Sequence, residues 1–345
     1  MTKRMLSGDR PTGRLHLGHL VGSLRGRVAL QDTHDCFVLI ADLHSLTTRR
    51  SREEIAQIPD LTRQMVLDYL AVGIDPAKST IYLQSAIPQT GELFTLLSAL
   101  VPVRRLQRLP SLKEMAAHAD LTEQPLLLTG YPVLQAADIL LPRADVVPVG
   151  ADNLAHVEIT REIVRRFNHL YGETFAEPVA RVGMEGALVG TDNRCKMSKS
   201  AGNAIFLSDD STTVAKKVRR MYTDPARIHA HIPGTVAGNP VFIYLDLFCS
   251  DRALVAQLKE RYAAGTVGDG EVKGHLTEAI EATLAPIRAR RATFEAERGL
   301  VEELVLAGSE KMRDVAADTM RSVRRAMGID RTVVRFSRAA KRRGR

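Results

Sequence analysis

A chain of 345 residues, 45% apolar and 26% charged, has room for two ordinary globular domains, and its composition excludes a fibrous or disordered molecule. The net charge is +8, but seven basic groups fall in Arg331 to Arg345, where there is no acid, so the preceding 330 residues sum to only +1. A basic pI of 9.5 therefore describes the tail and does not by itself make the body a nucleic-acid binder.

The first ten residues, MTKRMLSGDR, contain no apolar run of the kind a secretory leader carries, and a cytoplasmic enzyme is expected. Arg4 to Ser7 reads as a short strand. So do Cys36 to Ala41, Thr80 to Gln84, Val146 to Val149 and Val179 to Val182, each brief and largely apolar, as strands covered on both faces are. Helical patterns separate them: Leu17, Leu20, Val21, Leu24 and Val28 share one helical face, and Ser51 with Glu54 and Ser111 with Glu114 have capping-box spacing. Strands alternating with helices predict an α/β fold with a parallel sheet. The longest apolar stretch, Pro125 to Leu141, is interrupted by Gly130, Gln135 and Asp138, so no contact with a membrane interior is expected. From Ser211 the strand signal fades, and helices are predicted at Leu254 to Tyr262, Val272 to Arg290 and Val301 to Met327. The basic tail, 329–345, reads as a solvated, disordered end, the alternative being a source of sequence-independent phosphate contacts. Cys36, Cys195 and Cys249 stand far apart with no CxxC, so neither a disulfide framework nor a metal site is indicated.

Three segments carry chemistry. Ser7-Gly8-Asp9-Arg10-Pro11-Thr12-Gly13 leaves the first strand, and His16-Leu17-Gly18-His19 opens the next helix. Its glycines bring backbone close to a ligand, and a helix start offers unpaired N–H groups to an anion such as a triphosphate. His16 and His19, three apart, share that first turn and can both donate. Tyr131, Gln135 and Asp138 form a polar stripe on an otherwise apolar helix, with Pro132 suited to its first turn. A carboxylate there needs a donor, and either an indole or a phenol would serve. Lys196-Met197-Ser198-Lys199-Ser200 follows the last strand, and its two lysines flank hydroxyls in a way that can grip a polyphosphate. Gly190 and Gly202 bracket it, as they would a loop that closes over its ligand.

HxGH after the first strand together with KMSKS after the last resembles the signature pair of class I aminoacyl-tRNA synthetases. Nucleotidyltransferases share the first element but do not characteristically carry the second. YPVLQAADILL at Tyr131 to Leu141 resembles the recognition helix of tryptophanyl-tRNA synthetases, and VGADN with His156, Glu158, Thr160 and Arg161 is similar to that family's GxDQ turn and following helix. ADLHSLT, NPVF, LAPIRARR and SEKMRDVAADTMRSVRRAMG extend the likeness from Leu6 to Gly328.

The resemblance implies a Rossmann-like catalytic domain of the HUP type over 1–205, a helical tRNA anticodon-binding domain over 206–328, and a symmetric homodimer. It implies ATP with Mg²⁺, L-tryptophan and tRNA(Trp) as ligands. ATP would lie against Arg10, Pro11, Thr12, Gly18, His19, Gly150, Ala151, Asp152, Leu188, Lys196, Met197, Ser198, Lys199 and Ser200. Tryptophan would lie against Tyr131, Gln135, His44, Asn153 and Asp138, the last reading the indole nitrogen. The catalytic groups would be His16, His19, Lys196 and Lys199, and Arg288, Arg290 and Arg291 are candidates for contact with the anticodon.

The sequence departs from the family in places: Asn153 stands where Gln is usual, Arg10 where Gln is common, Thr12 where Ser is common and Gln135 where Met is common. These features resemble a divergent second bacterial type. Tyrosyl-tRNA synthetases of the archaeal kind share a Tyr, Gln and Asp stripe, and a non-charging tryptophan sensor would keep the pocket, so both readings stay open at this point.

Overall fold

The computed structural model describes residues 2–110, 112, 115, 124–150, 153–182, 188–199 and 201–343. Ala151, Asp152, Ser200 and the predicted cap at Ser111 lie outside the described residues.

Five strands, β1 (Arg4–Asp9), β2 (Asp35–Ile40), β3 (Ser79–Leu83), β4 (Val146–Val149) and β5 (Val179–Val182), form one parallel sheet in the order β3-β2-β1-β4-β5. All five fall on the apolar runs of the sequence, but β5 is an edge strand that stays largely exposed, so its apolar residues do not reflect cover on both faces. The chain turns outward in opposite directions from β1, which lies between β2 and β4. The crevice beyond the C-terminal ends of β1 and β4 is thus the topological switch point, where ligands bind in open α/β sheets.

The helices that follow β1 are α1 (Leu17–His19), a π-helical turn (Leu20–Leu24) and α2 (Arg25–Leu30). Between β2 and β3 come α3 (Asp42–Ser45), α4 (Arg52–Ala56) and α5 (Ile58–Val72); between β3 and β4 come α6 (Gln89–Ser98), α7 (Val103–Leu106) and α8 (Leu126–Leu140); α9 (Leu154–Tyr171) precedes β5. The remainder is helical: α10 (Ser211–Arg219), α11 (Pro240–Phe248), α12 (Arg252–Ala263), α13 (Asp269–Ala296), α14 (Leu300–Met327) and α15 (Asp330–Arg343). The cap at Ser51 forms as its spacing predicts: the Ser51 hydroxyl accepts from the Glu54 N–H, and the Glu54 carboxylate accepts from the Ser51 N–H, both at 3.1 Å.

Side chains alternate through the sheet. Val38 and Ile40 of β2 join one apolar cluster with α5, α11 and α13, while Phe37 and Leu39 face a second cluster with α6, α8 and α9. The first cluster runs without a break from the sheet into the helical region, through Leu245, Leu284 and Val301. α14 touches both clusters because it lies along the edge strand β3. A Cβ on Gly308 would meet the Ile81 carbonyl oxygen at 1.9 Å, so only glycine lets the helix approach that closely. One residue on, the Ser309 hydroxyl accepts the outward Leu83 N–H at 3.1 Å. A sheet edge that would otherwise present unpaired groups is sealed.

Two expectations change. Pro132 does not start a helix: α8 begins at Leu126, so Pro132 is interior and leaves the Leu128 carbonyl without its usual N–H donor. The tail expected to be disordered is the helix α15 over its described part, because Asp330 opens it and the Arg, Ala and Lys residues that follow favour helix.

Candidate active site

β1 ends at Asp9, whose carboxylate accepts from Arg27 Nη1 at 2.6 Å and from the Tyr69 hydroxyl at 2.7 Å. Burial alone would raise the Asp9 pKa, but the adjacent Arg27 guanidinium outweighs it and holds the carboxyl far below its ordinary range. This half-buried group fixes the root of the loop that follows. Gly8, read from the sequence as serving a ligand, instead serves the sheet: a Cβ there would stand 2.5 Å from the Leu39 carbonyl oxygen.

Within the loop Pro11 is buried, and Arg10 Nη1 donates to the Thr47 hydroxyl at 3.3 Å. Arg49 Nη2 reaches the Thr12 carbonyl at 3.2 Å. His19 Nδ1 accepts from the His16 backbone N–H at 3.2 Å, and the two imidazoles lie with centroids 3.8 Å apart. Burial is the main reason both rings lose basicity, His16 to about 2 and His19 to about 4, and Lys199 and Lys196 push in the same direction. Both are therefore neutral at pH 7 and act as hydrogen-bonding rings rather than as charges. His16 Nδ1 is buried with no hydrogen-bond partner among the described residues, which leaves it available to a ligand atom. The π-helical turn directly after His19 is a local feature frequent at functional sites.

The second signature segment is brought to the first by backbone pairing. The Leu17 N–H donates to the Ile205 carbonyl and the Leu207 N–H to the Leu15 carbonyl, each at 2.9 Å, so the stretch after KMSKS runs beside the HxGH turn. KMSKS itself rises from a short hairpin in which Val189 pairs with Lys196 and the Met197 N–H donates to the Leu188 carbonyl at 2.8 Å. Met197 is buried, and its Sδ accepts from the Gly18 N–H at 3.3 Å. Asn203 clamps the loop: its Oδ1 accepts from the Ser198 N–H at 2.9 Å, and its Nδ2 donates to Asp192 at 3.0 Å. A Cβ on Gly190 would lie 2.0 Å from that amide nitrogen, so Gly190 is present for close approach.

Lys199 Nζ donates to the Gly13 carbonyl at 2.8 Å and lies 3.4 Å from the Thr12 hydroxyl. Burial lowers its pKa to about 8, against the pull of Asp9 and Asp68 and helped by Arg10 and Arg49. Lys196 is more exposed and contributes through its field on both histidines.

Beside this cationic site is a buried polar cluster built by α3, the turn that follows β3, α8 and α9. Asp138 is 3% exposed and accepts from His44 Nε2 at 2.9 Å and from Gln84 Nε2 at 2.8 and 2.9 Å. Burial raises its pKa, and the His44 hydrogen bond opposes that rise. The Tyr131 hydroxyl and His156 Nε2 are 2.9 Å apart, and the Tyr131 ring sits edge-on to both His44 and His156. Gln135 is half-buried one turn further along α8, and Asn153, whose N–H donates to the Gly150 carbonyl at 3.0 Å, caps α9 at the end of β4. The arrangement offers an enclosed carboxylate and hydrogen-bonding rings to a flat polar aromatic molecule, next to a cationic seat for phosphates.

The structure reassigns three arginines. Arg291 Nε donates to the buried Asp68 at 2.9 Å, Arg290 Nε to the Ala71 carbonyl at 2.7 Å, and Arg288 pairs with Glu281 and the Asp209 carbonyl. These contacts join α13 to α5 and to the start of α10, so Arg288 and Arg291 are more than a solvated helix face, while Arg290 stays exposed around its one bond. Sequence reasoning missed Gln84, Arg27 and Tyr69, whose partners are 18 to 60 positions away, and Asn203, whose partners Ser198 and Asp192 lie within the same loop.

A family model described as tRNA synthetases class I (W and Y) matches residues 2–285. A tryptophan–tRNA ligase of Treponema pallidum (strain Nichols) is 58% identical over 326 residues, covering 94% of this chain and 97% of its own length. A tryptophan–tRNA ligase of Chlamydia caviae is 51% identical over 333 residues, 95% of this chain and 96% of its own. The crystal structure of tryptophanyl-tRNA synthetase from Campylobacter jejuni complexed with ADP and tryptophan superposes with a TM-score of 0.81 at 33% identity, over 94% of this chain and 99% of that one.

Proposed function

Since this chain belongs to the class I tRNA synthetases of the tryptophan and tyrosine family, we propose that its reaction is ATP-dependent charging of tRNA with tryptophan. The tryptophan carboxylate attacks the α-phosphorus of ATP and pyrophosphate leaves; the 2′-hydroxyl of the terminal adenosine of tRNA then attacks the adenylate's carbonyl carbon, forming the ester and releasing AMP. The observation that carries this reading is the meeting of Lys199 with Gly13 at 2.8 Å, which joins the two signature segments around one seat. The relatives named above as tryptophan–tRNA ligases support tryptophan as the amino acid.

No covalent nucleophile is needed. Lys199 and Lys196 stabilise charge spreading onto the departing pyrophosphate, and the neutral imidazoles of His16 and His19 hydrogen-bond the phosphates from the helix side. Arg10 brings a permanent charge to the same seat. Asp138, held by His44 and Gln84, accepts the indole N–H. A ligand without that N–H forgoes a hydrogen bond to this carboxylate, which gives discrimination against phenylalanine. Gly150, at the end of β4, and Asn153 border the other side of the crevice. Among the described residues no group of three or more His, Cys, Asp or Glu is arranged to hold a metal, and the groups offered to the phosphates are the cations of Lys196, Lys199 and Arg10 with the neutral rings of His16 and His19. They fit the triphosphate; Mg²⁺ arriving with ATP would take phosphate oxygens and water as ligands and neutralise charge on the pyrophosphate.

Pyrophosphate exchange measured with each of the twenty amino acids tests the reading. Tryptophan-dependent exchange is expected. Exchange with tyrosine alone, or tryptophan binding without exchange, would overturn it. A symmetric dimer belongs to the same proposal and predicts light scattering at twice the 38.0 kDa chain mass. So does a cytoplasmic location; no helix among the described residues is long and apolar enough to cross a membrane.

A further inference from the structure

At the opposite end of the sheet from the ATP seat, an open cleft of about 360 Å³ lies between the start of β1, the turn after α8 and the last turns of α14. Four guanidinium groups line it, from Arg4, Arg143, Arg321 and Arg325, with Asp318 as the one carboxylate. Arg4 donates to the Pro142 carbonyl at 2.9 Å and lies 3.4 Å from Asp35, while Arg321 pairs with Asp318. Arg143 and Arg325 have no acidic partner in the lining, so the cleft keeps an excess of positive charge.

The backbone at Arg143 is the informative feature. α8 ends in a Schellman motif: the Ala144 N–H donates to the Ile139 carbonyl at 3.1 Å and the Arg143 N–H to the Leu140 carbonyl at 3.0 Å. The residue between, Arg143, therefore adopts a left-handed conformation with φ 56°, the position at which glycine is strongly favoured. An arginine at a position that favours glycine carries a conformational cost, and what it brings in return is its guanidinium, placed in the cleft. Its Nε donates to the Thr319 hydroxyl at 3.3 Å, which turns the guanidinium toward α14 and the cleft.

Positive charge continues past the cleft. Arg325 is followed by the turn at Gly328, where the Arg331 side chain folds back to 3.3 Å from the Cβ a side chain would carry, and Arg331, Arg335 and Arg338 then recur on one exposed face of α15.

We propose that this cleft and the basic face of α15 form a docking surface for the sugar–phosphate backbone of RNA. A concave seat of guanidiniums admits a phosphodiester and excludes a flat lipid surface, and its continuation onto a second helix exceeds what a single small anion would occupy. The inference rests on the proposed tRNA-charging reaction for its choice of RNA. The seat is remote from the ATP crevice, so substitutions in it are expected to leave amino-acid activation untouched.

The test uses the full chain, a tRNA transcript bearing the tryptophan anticodon, and the variants R143G, R321Q/R325Q and R335Q/R338Q. All three should keep wild-type tryptophan-dependent pyrophosphate exchange, and R143G, relieved of its left-handed arginine, should keep a Tm within about 4 °C of wild type or above it. Each lost phosphate contact should weaken tRNA binding about threefold and flatten the salt dependence of log Kd by about 0.7 to 0.9. R143G should therefore lose about threefold and the double variants about tenfold. Unchanged tRNA affinity and salt slope in all three variants would overturn the proposal. So would unchanged affinity accompanied by loss of inorganic pyrophosphate binding, which assigns the cleft to a small anion. Unchanged affinity accompanied by loss of binding to vesicles with anionic lipid, through the exposed Val333 and Phe336 of α15, would overturn it in favour of a membrane. Wild-type protein that fails in pyrophosphate exchange overturns the charging reaction instead, and is told apart by that readout.

Discussion

Lys199, in the loop after the last strand, donates its ammonium to the carbonyl of Gly13, in the loop after the first, at a sequence separation of 186. The charge is thereby held over the place where a phosphate chain would enter from the helix mouth at Leu17.

Removing that charge should act on the chemical step. Losing one preorganised donor in a site of this kind costs roughly 2.7 to 4 kcal/mol, so Lys199→Ala should slow adenylate formation about a hundredfold or more, with tryptophan binding little changed. Single-turnover pyrophosphate exchange measures it, and a rate within about threefold of wild type would remove Lys199 from the role.

The same lysine sets a pH dependence. Its pKa is depressed to about 8 by burial, so it is protonated below that value and loses its charge as pH rises through it. Exchange should fall on the alkaline side, with a midpoint near 8. The depressed values of His16 and His19 place their protonation well below neutrality, so neither adds an acid limb between pH 6 and 8. A profile flat to pH 9.5 contradicts the assignment.

Asp138→Asn replaces an acceptor with an amide that can accept on one side only, against donors from His44, Gln84 and the ligand. A hydrogen bond to a charged group contributes about 1.5 to 3 kcal/mol, so KM for tryptophan should rise about 10- to 150-fold, with a smaller effect on ATP. Equal losses for both substrates would indicate collapse of the pocket.

Arg291→Ala leaves Asp68 buried without its ion pair, although the Leu15 N–H still donates to it at 3.1 Å. Breaking a buried pair typically costs 3 to 5 kcal/mol, a large share of a globular protein's margin. Urea unfolding should show it. By contrast, Lys78→Ala, which breaks the exposed pair with Asp32, should leave the urea midpoint unchanged.

Gly190→Ala drives a methyl group into the Asn203 amide that holds the KMSKS loop. Overpacking of about 1 to 3 kcal/mol should appear as roughly 5- to 150-fold slower exchange, with the urea midpoint lowered much less than in Arg291→Ala. Wild-type exchange would show that the clamp is dispensable.

What could be read from the sequence followed the range of the forces involved. Strands such as Cys36 to Ala41 declare themselves because burial on both faces demands continuous apolar residues, and the Ser51 cap because its partner is three residues away. Gln84 is different: it is one polar residue at a strand end, and its role exists only once Asp138, 54 positions later, is beside it. Arg290 and Arg291 look like a solvated helix face until the fold brings α5 against them from more than 200 positions earlier. Pro132 misled for a local reason, since proline at a helix start is common and proline seven residues into one is not.

The sealing of β3 by Gly308 and Ser309 has a consequence for how the molecule is made. During synthesis the five strands emerge with one flank of the ribbon bare, and nothing covers it until the stretch around residue 309 has left the ribosome. A fragment ending near residue 290 would keep every ATP-facing group described above, yet would carry a raw sheet margin open to pairing with other nascent copies, and should collect in inclusion bodies.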